Sequence, residues 1–167
     1  YSKVIDYKSG KDSYNEAEAK AGVKLQLFIY LMASSGVDLK PGGAFYFHVK
    51  DAMVKNPKKT GKIEREANLD SEYKLDGFLL GDSGVTDAID PDGKIFKGKN
   101  RIMSKTDFDA LTGEVMSKVK EMAEELSRGE IGIKPKKVGN VEACQYCAYK
   151  GICKFDLSVE GCSYNMI

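Results

Sequence analysis

Asp6 and Lys8 stand two residues apart in VIDYKSGK, residues 4–11. On a strand that spacing puts both side chains on one side of the ribbon. A buried carboxylate is costly unless it is paired or binds a metal. The pair could be an ordinary surface contact on an edge strand. It could equally be chemical: a carboxylate at a strand end can hold Mg²⁺, and a neighbouring ammonium can stabilise charge on a phosphate under attack. Gln26 and Tyr30, in LQLFIYL, are four apart and share a helix face. A third group, Cys144, Cys147 and Cys153, has C-x2-C-x5-C spacing, with Cys162 nine residues on. All four cysteines fall in the last 24 residues, a clustering that suggests metal rather than disulfides.

These groups need elements to hold them. Residues 2–8 read as a strand and Ser9-Gly10-Lys11 as its exit. From Glu16 to Ser35 the pattern is helical: Ala21, Leu25, Phe28 and Met32 recur at helical steps, as do Leu27 and Leu31, and Gly36 is a stop. Pro41-Gly42-Gly43 marks a turn. AFYFHVK, residues 44–50, reads as a strand with Phe45, Phe47 and Val49 facing one way and Tyr46, His48 and Lys50 the other. His48 reads as a hydrogen-bonded or solvated strand residue. Residues 51–62 form a lysine-rich loop, 72–80 a strand, 83–89 a short helix, Pro91-Asp92-Gly93 a turn, and 94–103 extended chain. Lys105 to Arg128 is the clearest helix, with Phe108, Leu111, Val115, Val119, Met122 and Leu126 as its apolar stripe. Ser104 and Asp107 resemble a capping box, and Gly129 ends the helix. An extended linker through Pro135 leads to the cysteines.

The chain has 167 residues, 42% of them hydrophobic and 31% charged, with net charge +1. That composition fits one globular domain or a piece of a larger protein. It supplies no overall field to draw in nucleic acid, so basic surface must be local. No apolar run approaches the ~18 residues of a membrane span, and no membrane partner is expected. No signal peptide opens the sequence. Tyr1 begins as if within a strand, which suggests a fragment.

D-x-K on a strand followed by Q-x-x-x-Y on a helix resembles the RecB-type branch of the PD-(D/E)xK nucleases. The order VIDYKSGK, GVKLQLFIYL, PGGAFYFHVKD, long helix and cysteine triplet ending in KFD is similar to the C-terminal nuclease domains of the B subunits of AddAB-type helicase–nucleases. The resemblance implies an α/β fold of the restriction-endonuclease type: a mixed sheet flanked by helices, N-terminally truncated, with a cysteine-rich tail. It implies a partial nuclease core over residues 1–135 and a tail over 136–167 packed on the same domain. It further implies a cytoplasmic, Mg²⁺-dependent exonuclease acting on single strands from unwound DNA, without sequence preference, beside a helicase–nuclease A subunit. Asp6 and the Tyr7 carbonyl would bind Mg²⁺, and Asp6, Lys8, Gln26 and Tyr30 would form the catalytic group. Cys144, Cys147 and Cys153 match the triplet that holds a 4Fe–4S cluster, whose fourth cysteine lies upstream in that family. Tyr146 and Tyr149 would shield the cluster. Lys3, Lys11, Lys24 and the lysines of residues 50–62 are candidate backbone contacts.

The family also places a metal-binding aspartate on the strand before D-x-K, where this sequence has only five residues. Asp51, Asp70, Asp76 and Asp82 follow the motif and do not match it, so the isolated chain is expected to be inactive. No Walker A loop is present, so no ATP hydrolysis is expected of it. Two other readings remain: a stand-alone CRISPR-associated RecB-like exonuclease, and a non-catalytic zinc- or cluster-bearing module that holds DNA or a partner protein. Four thiolates including Cys162 would suit Zn²⁺.

Overall fold

Alternation along Ser2–Lys8 makes the first strand, β1, and the run from Pro41 to His48 makes the second, β2. They pair in parallel, so the chain must cross over between them. The computed structural model describes residues 1–10, 12–35, 38–49, 73–90 and 101–167. Helices α1 (Glu16–Lys20) and α2 (Gln26–Ser34) occupy the crossover. Strand β3 (Asp76–Leu80) pairs antiparallel with β2, and β4 (Arg101–Met103) pairs parallel with β3. The result is a mixed four-stranded sheet in the order β1-β2-β3-β4. A short helix, α3 (Ser83–Ile89), follows β3, and the long helix α4 (Lys105–Ser127) follows β4.

The crossover departs from the single helix expected over Glu16–Ser35. Gly22 has φ +77, a conformation that interrupts the helix between α1 and α2. Asn15 Oδ1 caps α1 by accepting from the amides of Ala17 and Glu18. The expected turn at Pro41-Gly42-Gly43 is instead the start of β2, because glycine lets neighbouring strands approach closely. A Cβ on Gly43 would lie 2.8 Å from the Phe78 carbonyl oxygen. The capping box on α4 forms as expected. Ser104 Oγ accepts from the Asp107 amide at 3.1 Å and contacts Asp107 Oδ2 at 2.7 Å. At the other end, Gly129 adopts φ +74 and closes the helix. The stop expected at Gly36, the 51–62 loop and the Pro91-Asp92-Gly93 turn lie outside the described residues.

The chain divides into two compact units: residues 1–14 with 26–112, and residues 15–25 with 113–167. The first is built on an aromatic core. Phe28 of α2 stacks on Phe78 of β3 with centroids 4.6 Å apart, and Tyr14 and Phe108 lie against Phe78 at 5.2 and 5.8 Å. Leu27, Phe28 and Leu31 bury one side of α2. Met32, expected in the same stripe, is exposed.

The second unit carries a small sheet in the order β6-β5-β7, with β5 at Lys136–Val138, β6 at Val141–Glu142 and β7 at Asn165–Met166. The cysteine-bearing segment, including helix α5 (Lys150–Cys153), lies between β6 and β7. Pairing of β7 with β5 brings the end of the chain back beside the start of that segment.

Candidate active site

Pleating puts Asp6 and Lys8 on the same face of β1. Lys8 Nζ reaches Gln26 Oε1 at 2.8 Å, so that face is the one covered by α2. Gln26 opens α2, beside the buried Leu27 and Phe28, so docking of the helix fixes where its amide lies. Gln26 Nε2 donates to Tyr30 Oη at 3.1 Å, one helical turn further on. Lys8 Nζ also lies 3.0 Å from Asp6 Oδ2. The four residues singled out from the sequence thus form one continuous chain of contacts, Asp6–Lys8–Gln26–Tyr30. Tyr30 is 47% exposed and brings the array to the surface.

Two oxygens on β1 have the character a hard cation requires. Asp6 Oδ2 is buried and its contact with Lys8 is an ion pair outside hydrogen-bonding geometry, so this oxygen accepts no hydrogen bond. A buried carboxylate oxygen that is ion-paired but accepts no hydrogen bond keeps lone pairs of the kind a hard cation takes. The second is the Tyr7 carbonyl. The Lys8 carbonyl accepts from the Val49 amide, toward β2. Carbonyl directions alternate along a strand, so that of Tyr7 points away from β2. Among the described residues β1 has no neighbour on that side. Both are hard oxygen donors of the type Mg²⁺ takes and fit it as part of its ligand shell.

The surroundings of the pair could not be read from the sequence, because they depend on register. Asp6 stands opposite Tyr46 on β2, and Tyr46 opposite Asp76 on β3. Tyr46 is 4% exposed, and Lys8 Nζ lies 5.3 Å from its ring centre. It separates Asp76 from Asp6, and Asp76 instead accepts the Tyr14 amide at 2.9 Å. His48 stands opposite Lys8, and its Nε2 hydrogen-bonds the Asp12 carbonyl. Of the candidate lysines, Lys3 is exposed and Lys24 pairs with Glu18 at 3.2 Å. Lys11 and the lysines of residues 50–62 lie outside the described residues, as do Asp51 and Asp70.

In the second unit, Cys144, Cys147 and Cys153 border one cavity of about 300 Å³, together with Lys150, Phe155, Asp156, Leu157 and Tyr164. Cys162 is not among the lining residues. Among the described residues, no three His, Cys, Asp or Glu side chains close around a single ion position. Three soft sulfur donors around a shared cavity are of the type that iron–sulfur clusters and zinc take. The expected shielding by Tyr146 and Tyr149 is not seen. They are 90% and 70% exposed, and the rings that border the cavity are Phe155 and Tyr164, in edge contact at 5.1 Å. Burial pushes the Tyr164 phenol up to about 12, helped by the Cys144 thiol beside it and by Glu142.

Comparison with known proteins bears on the first unit and most of the second. The sequence profile of the PD-(D/E)XK nuclease superfamily matches residues 1–154. The chain belongs to that superfamily. The mixed sheet flanked by helices is the restriction-endonuclease-like fold expected of PD-(D/E)XK nucleases, and the matched span takes in the D-x-K sequence Asp6-Tyr7-Lys8. The chain is similar to the B subunit of the ATP-dependent helicase/deoxyribonuclease of Clostridium botulinum (strain Hall), with 33% identity over 189 residues. Similarity extends to the proteins of the same name from Thermoanaerobacter sp. (strain X514), 33% over 188 residues, and Alkaliphilus oremlandii, 35% over 190. Each match takes in 100% of this chain, which spans 16% of the relative's length. No helix among the described residues is long and apolar enough to cross a membrane.

Proposed function

We propose that this chain is the nuclease domain of a helicase–nuclease B subunit. It hydrolyses phosphodiester bonds in single strands released from unwound DNA, on the strand ending 5′ at a break, beside a motor-bearing A subunit in the bacterial cytoplasm. The observation that carries this reading is the contact chain Asp6–Lys8–Gln26–Tyr30 in a member of the PD-(D/E)XK superfamily. A stand-alone exonuclease or a non-catalytic binding module would not account as well for a likeness to helicase/deoxyribonuclease B subunits that runs the whole length of the chain.

Asp6 and the Tyr7 carbonyl would hold Mg²⁺. When bound, the ion polarises the phosphate and lowers the pKa of a coordinated water. Lys8 presents its ammonium to the negative charge that develops on the phosphate oxygens. Gln26 sets the direction of that ammonium by accepting a hydrogen bond from it, and donates its own amide N–H to Tyr30. The phenol, held at the rim, orients the sugar–phosphate backbone. Recognition through phosphates gives no sequence preference and a steep salt dependence.

Residues 1–135 would form the nuclease core and 136–167 a tail in which Cys144, Cys147 and Cys153 hold a 4Fe–4S cluster, with a fourth ligand from elsewhere in the full protein. The cluster's role is structural.

The test uses the full-length protein, Mg²⁺ and end-labelled linear DNA. Mg²⁺-dependent degradation is expected, with a loss of at least ~10³-fold in Asp6→Ala, the scale seen when an essential electrostatic group is removed. Unchanged activity in Asp6→Ala would refute the assignment. The 167-residue chain alone is expected to be inactive, since Asp6 is the one carboxylate seen against Lys8 among the described residues. Degradation by that chain that Asp6→Ala abolishes would contradict this.

A further inference from the structure

We propose that Tyr46 is a positioning residue for Lys8: its buried ring face holds the lysine ammonium in place between Asp6 and Gln26. This rests on the nuclease reading for its role in catalysis, but not for its geometry. A lysine ammonium has three donors on a flexible four-carbon stem. Here it donates to Gln26 Oε1 at 2.8 Å and forms an ion pair with Asp6 Oδ2 at 3.0 Å. Neither contact limits movement toward the sheet. The Tyr46 ring does, with its centre 5.3 Å from Nζ, inside the range at which an aromatic face attracts a cation.

The ring is itself fixed. Tyr46 is 4% exposed and sits mid-sheet, with β1 on one side and β3 on the other. Asp6 is its direct neighbour across the strand pair, and Lys8 is its diagonal neighbour, within reach of a long side chain. A ring there also separates the two acids of the row, Asp6 and Asp76. It leaves Asp6 as the carboxylate that meets the ammonium. The sheet therefore supplies a wall, the helix an acceptor and β1 a counter-charge, and together they define one position for Nζ.

The experiment compares Tyr46→Phe, which keeps the aromatic face, with Tyr46→Leu, which removes it, in the full-length protein at a temperature where both are folded. Two readouts are taken: kcat and KM for Mg²⁺-dependent DNA cleavage, and the rate of amine acylation at Lys8 followed by peptide mass spectrometry. Tyr46→Leu is expected to lower kcat about tenfold with little change in KM, the pattern for an interaction used in the transition state. Its Lys8 is expected to label several-fold faster. Tyr46→Phe, with the ring face kept, is expected to recover most of the loss seen in Tyr46→Leu in both readouts. If Tyr46→Leu does not fold, Tyr46→Met serves in its place. Unchanged labelling in the leucine or methionine variant, or a phenylalanine variant as impaired as leucine, overturns the proposal. A wild-type protein that cleaves no DNA but shows the expected labelling pattern overturns the nuclease reading and leaves the positioning role standing.

Discussion

Lys8 is the residue on which the others converge, so substitutions around it separate the roles. Gln26→Leu removes an acceptor from a charged donor, worth about 1.5–3 kcal/mol. Steady-state assays should therefore show activity lowered roughly 10- to 100-fold. Tyr30→Phe keeps the ring at the rim and removes the hydroxyl, whose neutral, exposed hydrogen bond with Gln26 is worth about 1 kcal/mol. Its activity should fall less than about tenfold, and an equal or larger loss than in Gln26→Leu would contradict the order of contacts. Two groups near the cysteines respond to pH in opposite directions. The Lys137 ammonium, 2.8 Å from Glu142, holds that carboxyl below its ordinary 4.5. The folded state favours the charged form, so this stabilisation is complete above pH 4.5 and fades as the pH falls through the depressed value. Tyr164, raised from 10.0 to about 12, favours its neutral form. Its contribution is complete below pH 10 and is lost as the pH rises through 12. Thermal unfolding across pH should show Glu142→Gln with a flatter acid limb and Tyr164→Phe with a flatter alkaline one.

At the scale of elements, the site depends on how closely the strands of the sheet approach one another. Gly77 is the sharpest case. A Cβ there would fall 2.0 Å from the Ala44 carbonyl oxygen and 2.8 Å from Phe45 Cα. Gly77→Ala should push β3 away from β2 and cost about 3 kcal/mol, the upper end of overpacking penalties. Urea titration measures it, and a loss under about 1 kcal/mol would show that the strands shift freely. The spacing rules that made β1, α3 and α4 legible are local: alternation, a cap at Ser104, a stop at Gly129. The same rules placed Asp6 with Lys8 and Gln26 with Tyr30. They failed where tertiary geometry decides. Gly22 interrupts a helix whose apolar pattern runs straight through it. Gly42 and Gly43 look like a turn and serve as close-packed strand. The place of Tyr46 beside Asp6 follows from a parallel register that no single-strand pattern contains.

For the whole molecule, the net charge of +1 conceals a division of labour between two units. One carries the acid–lysine array and the other the cysteines. If the tail holds a cluster, anaerobic analysis of the full-length protein should find iron and acid-labile sulfide. Cys144→Ser, Cys147→Ser and Cys153→Ser should each lower both, whereas Cys162→Ser should leave them unchanged, because Cys162 does not face the cavity. Zinc without iron would exclude the cluster. The cysteine spacing was plain from the sequence. Which rings enclose them was not, because Phe155 and Tyr164 reach the cavity only through the path the tail takes back to β7.

The amide that steers Lys8 belongs to the first residue of α2, and helix ends are where native structure opens most readily. Fraying of that one residue would free the lysine from its acceptor while Phe28, two positions on, stays stacked in the aromatic core. Mild heating should therefore silence the enzyme some degrees before the sheet melts, and cooling should restore it in full.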